Sequence, residues 1–316
     1  MAGPHFCIQP ARAKGAGMTH PAPTTPRRVA LAGASGTIGQ AVQRELEAQG
    51  HLVTVLGRPA LADRDALTAA MAGARAEVVI SCIASRSGSR KDAQEVDYKT
   101  NLVLLDAAKS AGAPHFILLS AICVQKPLLA FQHAKLAFEA ALAASGIGYT
   151  IIRPTAFFKS LSGQVKRVKA GKPFLIFGDG QLTRCKPISD RDLARFIISA
   201  IDNADMQGKI LPIGGPGPAI SLREQGELLF QIADKPARFT AISPRLFTAA
   251  ERGLSVGAPL SDWFAEKAEY ARIAHYYATE SMLVRDPATG LYGADLTPEF
   301  GEDTLEDHYR RLLEDG

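Results

Sequence analysis

The chain has 316 residues, of which 47% are hydrophobic and 22% charged, a globular composition that excludes a disordered or fibrous protein. Its 36 basic and 32 acidic residues leave a net charge of +4. There is no zinc-finger spacing or dense basic helix, so the sequence indicates no nucleic-acid partner. No apolar run approaches the roughly 20 residues of a membrane-spanning helix, and we expect at most peripheral membrane association.

The beginning of the chain, residues 1–26, holds no acidic residue and is rich in Pro, Ala and Gly, which predicts a flexible tail. Acid-poor leaders also occur as transit peptides, which would address the protein to a plastid. The alternative is an upstream start, with Met18 as the true first residue. The four cysteines lie far apart with no CxxC pair, which indicates a reduced, cytoplasmic protein without a metal site.

From Arg28 onward, short apolar runs alternate with amphipathic segments, the pattern of a parallel sheet covered by helices. In chain order, we predict strands at 29–32, 52–56, 77–83, 115–120, 149–152 and 210–213, with helices at 37–49, 63–72, 94–110 and 131–144. The fold class is α/β, a doubly wound, mostly parallel Rossmann-type sheet. Residues 57–76 have room for one helix and a vestigial strand only, so we expect that edge of the sheet to be trimmed.

The same pattern divides the chain into two parts. We expect residues 27–158 to form an NAD(P)-binding domain. Residues 159–316 are less regular and richer in Pro, Gly and aromatics, and we expect them to form a smaller substrate-binding part. That part is interleaved with the sheet through about 186–215.

A glycine-rich segment follows the first predicted strand and opens a helix, which is the context that a phosphate-binding loop needs. Its first glycine permits a tight turn, its second allows close approach of a pyrophosphate, and its third lets helix and strand pack closely. The helix N-terminus then offers N–H groups to the anion. The predicted cofactor contacts in this loop are Gly33, Ser35, Gly36, Thr37, Ile38 and Gly39.

The end of the second strand reads Leu56-Gly57-Arg58 and has no acid to accept the ribose hydroxyls of NAD. Arg58 is therefore our candidate for the 2′-phosphate contact, and NADPH is the expected cofactor. The alternative is an ordinary solvated loop arginine. Ser81 and Ile83, at the end of the next long strand, are expected beside the adenine ribose.

These features resemble the extended and atypical branch of the short-chain dehydrogenase/reductase superfamily. The resemblance covers residues 28–215 and rests on the glycines, Val96-Asp97-Tyr98, Ser120, Lys135 and Arg153-Pro154. It implies the fold, the cofactor class, and nicotinamide-side contacts by Ser120, Lys135 and Pro154. Counting back from Lys135, however, the place of the family's catalytic tyrosine is held by Phe131.

A narrower resemblance, from Arg28 to the end, is to the divinyl chlorophyllide 8-vinyl reductases. The matching segments are 131–135, 151–158, 178–180 and the tail 279–313, with Glu280-Ser281-Met282-Leu283-Val284 and Thr304-Leu305-Glu306-Asp307-His308-Tyr309. This resemblance implies NADPH-dependent reduction of an 8-vinyl group to ethyl, in chlorophyll or bacteriochlorophyll biosynthesis. The substrate would be divinyl chlorophyllide, protochlorophyllide or a related magnesium porphyrin.

Phe131 bears on the reaction because a carbonyl reduction needs a hydroxyl to protonate the oxygen. On one interpretation its presence marks a cofactor-binding protein without activity. On the other, reduction of a C=C bond creates no alkoxide, so no acid is needed to neutralise an oxyanion in the transition state. Lys135 is the predicted catalytic residue, orienting the nicotinamide ribose and adding positive charge, with a solvated helix lysine as the alternative.

Aromatic residues supply the candidate substrate contacts. Phe131, Phe157 and Phe158 are predicted to meet a large flat substrate, with core packing as the alternative for the last two. The run His275-Tyr276-Tyr277 offers a magnesium ligand or a macrocycle contact, or simply structural residues. Ser120 has a structural alternative as well.

Two other functions stay open at this stage. One is a noncatalytic NADP sensor or assembly subunit, resembling the nitrogen-repression regulators and the short-chain-like accessory subunit of respiratory complex I. The other is reduction of a smaller conjugated compound, as in isoflavone-reductase-like enzymes. The sequence predicts no oligomeric state.

Overall fold

The computed structural model describes residues 25–259 and 261–314. The predicted tail, residues 1–26, lies almost wholly outside these residues. The alternative start at Met18 lies outside them as well. A six-stranded parallel sheet, in the order β2-β1-β3-β4-β5-β8, forms the centre. Its strands are β1 Arg28–Ala32, β2 Leu52–Leu56, β3 Val78–Ser81, β4 His115–Leu119, β5 Gly148–Pro154 and β8 Lys209–Ile213.

Helices cover both faces of the sheet, which is why strands such as β4 are buried along their whole length. They are α1 Thr37–Ala48, α2 Arg58–Leu61, α3 Arg64–Ala74, α4 Arg90–Asp92, a π-helix Ala93–Thr100, α5 Asn101–Ser110, α6 Ala130–Ala143 and α9 Asp190–Ser199. One apolar core lies between the sheet and helices α1 and α9. The other lies under α3, α5 and α6. The predicted doubly wound fold is confirmed.

The edge of the sheet at β2 is trimmed, as predicted. Between β2 and β3 the chain forms only α2 and α3, and the vestigial strand that we expected there does not form. Asp63 begins α3 by accepting hydrogen bonds from the N–H groups of Asp65 and Ala66. This N-cap starts a helix where the next strand of a full doubly wound sheet would begin.

The strand predicted over residues 149–152 is longer in the structure, where it runs from Gly148 to Pro154. Pro154 has no N–H to donate to the neighbouring strand β4. It is tolerated because β4 ends at Leu119, which pairs with Ile152, so no strand residue of β4 lies opposite Pro154. On the other side, Thr155 donates to the Ile213 carbonyl of β8 at 2.9 Å. The predicted return of the chain to the sheet at β8 is confirmed.

The C-terminal part is more regular than expected. It contains α7 Phe158–Leu161, α8 Val165–Lys169, β6 Phe174–Phe177, β7 Arg184–Cys185, β9 Ile220–Ser221, α10 Leu222–Ile232, β10 Phe239–Ile242, α11 Arg245–Gly257, α12 Asp262–Thr279, β11 Val284–Arg285, β12 Tyr292–Gly293 and α13 Leu305–Glu314. A third apolar cluster, with Phe174, Phe230 and Tyr309 at its centre, packs these elements together. No helix of the described segments has the length and apolarity to cross a membrane.

Candidate nicotinamide and substrate site

The glycine-rich loop joins β1 to α1 at the carboxyl end of the sheet. Gly33 has φ +83°, and a Cβ there would lie 2.6 Å from the backbone carbon of Cys82. A Cβ on Gly39 would lie 2.1 Å from the Gly33 carbonyl oxygen. Both positions therefore require glycine, the first for its backbone conformation and the second for close packing of the turn on the helix.

The middle glycine leaves the helix N-terminus open. Gly36 is the N-cap of α1 and provides no side chain to cap it. A Cβ at Gly36 would meet only the Gly33 carbonyl, at 3.4 Å. A helix N-terminus with uncapped N–H groups beside a small, open turn fits the pyrophosphate of a dinucleotide. The predicted contacts at Ser35, Thr37 and Ile38 all lie on this turn.

Lys159 adds a positive charge to the loop. It follows β5 by five residues, and its Nζ lies 2.6 Å from the Thr37 hydroxyl oxygen at the start of α1. Sequence reasoning missed this residue because only the fold brings position 159 to position 37. An ammonium group at this point would attract a bound pyrophosphate.

Arg58 is exposed at the start of α2, directly after β2. Its guanidinium makes no ion pair within the part of the chain that the structure describes. Ser81 and Ile83 are buried at the end of β3. The Ser81 hydroxyl donates to Asn101 Oδ1 at 2.6 Å, so this side chain is already engaged within the protein.

Lys135 forms a buried ion pair with Asp97. Its Nζ lies 2.9 Å from Asp97 Oδ1, with the two side chains 11% and 0% exposed. The backbone N–H of Ser85 donates to the same oxygen at 3.2 Å. Asp97 Oδ2 is buried and has no hydrogen-bond partner among the described residues. Lys135 is therefore not a solvated helix lysine, and Asp97 keeps one oxygen free for a donor.

The π-helix presents Asp97 to Lys135, and Asn101 fixes its geometry. The Asn101 side-chain amide donates to the carbonyls of Val96 and Asp97, at 3.3 and 3.1 Å. Its oxygen accepts from Ser81. A chain of hydrogen bonds thus runs from β3 to the π-helix, a type of helix that is found disproportionately at functional sites. In the sequence, Asp97 carries part of the superfamily resemblance, but nothing there indicates that it pairs with Lys135.

Ser120 belongs to a buried charged network. Its hydroxyl donates to Glu139 of α6, and Arg153 Nε donates to the same carboxylate at 3.1 Å. Glu139 is 4% exposed. The network joins the ends of β4 and β5 to α6, which favours the structural alternative for the Ser120 hydroxyl. Glu139 was not recognised because a buried acid in a helix resembles a surface one in sequence.

The three candidate aromatic contacts separate in the structure. Phe131 is half-buried against Gly88 and Ile273 of α12 and faces the cluster around Cys123. Phe157 is partly buried on the sheet core. Phe158 is 3% exposed in the third apolar cluster, 5.3 Å from the His308 ring. The prediction that Phe158 stacks on substrate is wrong, because its ring faces are covered by the core.

Helix α12 packs beside Phe131. The Tyr276 hydroxyl donates to the carbonyls of Cys123 and Lys126, at 2.9 and 3.2 Å. Burial raises the pKa of Tyr276. This side chain is 3% exposed, so it anchors the helix rather than contacting a macrocycle. Among the described residues, no cluster of three or more His, Cys, Asp or Glu could hold a metal.

A parallel sheet with this glycine turn, an uncapped helix and a buried lysine at its carboxyl edge defines a Rossmann-type NAD(P)H-binding protein. A family profile described as NAD(P)H-binding matches residues 59–204. The fold is similar to that of leucoanthocyanidin reductase from Vitis vinifera, solved with NADPH. That structure has a TM-score of 0.63 at 16% identity, covering 91% of this chain and 99% of the other.

Two curated relatives then identify the family. The chloroplastic divinyl chlorophyllide a 8-vinyl-reductase of Oryza sativa subsp. indica is 44% identical over 91% of this chain and 79% of its own length. The enzyme of that name from Zea mays is 41% identical over 97% of this chain and 84% of its own. The chain belongs to the divinyl chlorophyllide a 8-vinyl-reductase family. The predicted resemblance and cofactor class are confirmed.

Proposed function

We propose that this protein catalyses the NADPH-dependent reduction of the 8-vinyl group of divinyl chlorophyllide or protochlorophyllide a to ethyl. The observation that carries the proposal is the pairing of Phe131 with a retained, buried Lys135 in a chain of this family. Phe131 has no hydroxyl, although a carbonyl reductase needs one at this position. Lys135 is present and lies buried in an ion pair with Asp97. That combination suits a C=C bond and not a carbonyl.

When bound, NADPH supplies the hydride. The residues of the chain bind and orient it: the glycine turn and Lys159 hold the pyrophosphate, and Arg58 holds the 2′-phosphate. Pro154 and Ile83 line the crevice at the strand ends. Lys135, fixed by Asp97, donates to the nicotinamide ribose and places a positive charge where negative charge develops on the reduced macrocycle.

The substrate class, a magnesium porphyrin, follows from what the relatives are named for. Half-buried Phe131 and Phe157 supply apolar surface for a flat ring system. The pathway is that of chlorophyll or bacteriochlorophyll. Membrane association, at most peripheral, stays a prediction. The relatives are chloroplastic, so a plastid is the alternative to the cytoplasmic location expected from the reduced cysteines.

An absorbance time course tests the function. Purified protein, NADPH and divinyl chlorophyllide a are mixed, and the product is identified by chromatography against a monovinyl standard. A small blue shift of the Soret band with loss of NADPH is the expected result.

Bound NADPH without turnover, together with a co-purifying partner, would instead favour a noncatalytic sensor or assembly subunit. Faster NADPH oxidation with a small enone than with the pigment would favour a reductase of small conjugated compounds. Each alternative thus has its own readout in the same assay.

A further inference from the structure

The C-terminal run from Thr304 to Tyr309 carries part of the resemblance to the reductase family, but the proposed reaction uses none of its residues. Thr304 caps α13, because its hydroxyl oxygen accepts from the backbone N–H of Asp307 at 3.1 Å. Leu305 and Tyr309 are 7% and 0% exposed in the third apolar cluster. The helix is therefore firmly packed, and its polar side chains have fixed positions.

Two side chains of α13 hold the short helix α7. The Tyr309 hydroxyl donates to the Leu161 carbonyl at 3.0 Å. The His308 ring lies 5.3 Å from the Phe158 ring, and its Nε2 lies 2.8 Å from Ser162 Oγ. The first residue of α7, its last residue and the residue after it are therefore each tied to the C-terminal helix.

The hydrogen bond between His308 and Ser162 has a defined direction. The Ser162 hydroxyl has one proton and donates it to the Phe158 carbonyl at 2.8 Å. It therefore accepts from His308, whose proton must lie on Nε2. Burial lowers the pKa of His308, so the neutral ring predominates at pH 7. His308 thus contacts α7 through a directed hydrogen bond of a neutral ring.

Another side chain of α7 reaches the pyrophosphate turn. Lys159 lies in the chain between the two residues that contact His308, and its Nζ lies 2.6 Å from the Thr37 hydroxyl oxygen at the start of α1. A helix of four residues has too few internal hydrogen bonds to be stable by itself. The position of the Lys159 ammonium therefore depends on the contacts that hold α7, and α13 supplies the three described above.

The segment before α13 is fixed to α9, a helix that shares an apolar core with α1. Asp192 is fully buried, and its Oδ2 accepts from the backbone N–H groups of Glu302 and Asp303 at 3.0 and 2.8 Å. The Ser189 hydroxyl donates to Asp303 Oδ2 at 2.7 Å. The C-terminal segment therefore connects α9, beside the cofactor-binding helix, with the helix that carries Lys159.

We propose that α13 positions Lys159 for the cofactor pyrophosphate, so that NADPH binding and the docking of α13 on α7 stabilise each other. The inference rests on the proposed pyrophosphate contact of Lys159 and does not require vinyl reduction. Coupling between two sites is reciprocal. Loosening α13 therefore weakens NADPH binding, and bound NADPH holds α13 more tightly. His308 and Tyr309 are positioning residues, since they act on the cofactor through α7.

A double-mutant cycle on Lys159 and His308 tests the coupling. Lys159→Ala should weaken NADPH binding about tenfold, the usual loss for one charge-assisted contact. It should weaken NADH binding equally, because both cofactors carry the pyrophosphate. His308→Ala should weaken NADPH binding about threefold in the otherwise wild-type chain and not at all in the Lys159→Ala chain. A helix that merely supports the fold would lower NADPH affinity equally in both chains. Isothermal titration provides the dissociation constants.

A second variant removes the same hydrogen bond from the side of α7. Ser162→Ala leaves α13 intact and should show the same dependence on Lys159, also in the case that His308→Ala does not fold. Arg310→Ala is the matched control on α13, because Arg310 is exposed and pairs with Glu306 on the preceding turn. This control should bind NADPH as the wild type does.

Hydrogen exchange measures the coupling in the other direction. The α13 amides of the wild type should exchange more slowly when NADPH is bound, and Lys159→Ala at saturating NADPH should lose this protection. The inference is overturned if His308→Ala and Ser162→Ala weaken NADPH binding equally with and without Lys159, or not at all. Wild-type affinity in Lys159→Ala would refute the pyrophosphate contact and this inference together. A wild type that binds NADPH but forms no monovinyl product would refute only the proposed vinyl reduction.

Discussion

The cofactor end of the crevice and its substrate end are built in different ways. The pyrophosphate turn uses contiguous residues between β1 and α1. Its backbone packs so closely that a Cβ added to Gly39 would lie 2.1 Å from the Gly33 carbonyl oxygen. The region around Phe131 combines the π-helix, α6, the turn after β4 and α12. The first is therefore set by local backbone geometry, and the second depends on long-range packing.

The largest expected effect on NADPH binding is at the pyrophosphate turn. Gly39→Ala places a methyl group against the Gly33 carbonyl, so the turn must open. We expect NADPH affinity to fall by about 1,000-fold, near 4 kcal/mol, or beyond detection. Isothermal titration provides the measurement.

Gly73→Ala in α3 is the matched control, because a Cβ there meets no atom within 4 Å. Alanine in the last turn of this helix should raise the thermal midpoint slightly and leave NADPH affinity unchanged. Equal NADPH affinity in the two variants would show that the turn does not need its third glycine.

This contrast also explains what the sequence could predict. Gly33, Gly36 and Gly39 could be predicted because each glycine in this spacing has a known role in a phosphate-binding turn. The strands could be predicted because burial on both faces makes them short apolar runs. Glu139 and the pairing of Asp97 with Lys135 were not predicted, because an acid in a helix gives no sign in the sequence of its burial. Phe158 was misassigned because its chain neighbours do not reveal that α13 covers its ring.

The next largest effect is expected in the region around Phe131, where Asp97 holds the Lys135 ammonium in place. Lys135→Ala should lower kcat about 100-fold by removing a fixed charge from the site. Asp97→Asn should give an intermediate loss, since the amide can still accept from Ser85 but no longer holds the ammonium by charge. Steady-state kinetics on both variants measures this order.

The exposed Lys99, paired with Glu95 on the adjoining turn, provides the control, and Lys99→Ala should leave kcat unchanged. Full activity in Lys135→Ala would mean that the buried pair is structural only. The thermal midpoint of Lys135→Ala should fall in either case, because Asp97 is left buried without its counter-charge, so kcat is the deciding measurement.

A smaller effect on NADPH affinity is expected from Arg58, the proposed contact of the 2′-phosphate. Arg58→Ala removes one exposed charge-assisted contact, so NADPH affinity should fall about tenfold, near 1.4 kcal/mol, with NADH affinity unchanged. The ratio of the two dissociation constants is the measurement. An equal loss for both cofactors would place Arg58 away from the 2′-phosphate. Arg64→Ala, at the start of the next helix α3, is the control.

The smallest effect concerns the sheet that joins the two ends. His115 on β4 is 5% exposed, and burial lowers its pKa from 6.5. Thr150 donates to the Met206 carbonyl at 3.0 Å, so the His115 Nε2–H donates to Thr150 and the buried Nδ1 has no described partner. Protonation would place an unpaired charge inside the sheet.

The sign of the pH dependence follows from linkage. Above pH 6.5 both folded and unfolded states hold a neutral His115; as the pH falls below 6.5, the unfolded chain binds the proton first, so stability decreases toward the lower folded pKa. Urea midpoints at pH 7.5 and 5.5 should therefore differ less in His115→Gln, whose amide can still donate to Thr150. The exposed His133→Gln should keep the wild-type difference. If His115→Gln also keeps it, the acid sensitivity belongs elsewhere, and His51, whose pKa burial likewise lowers, is the next residue to replace.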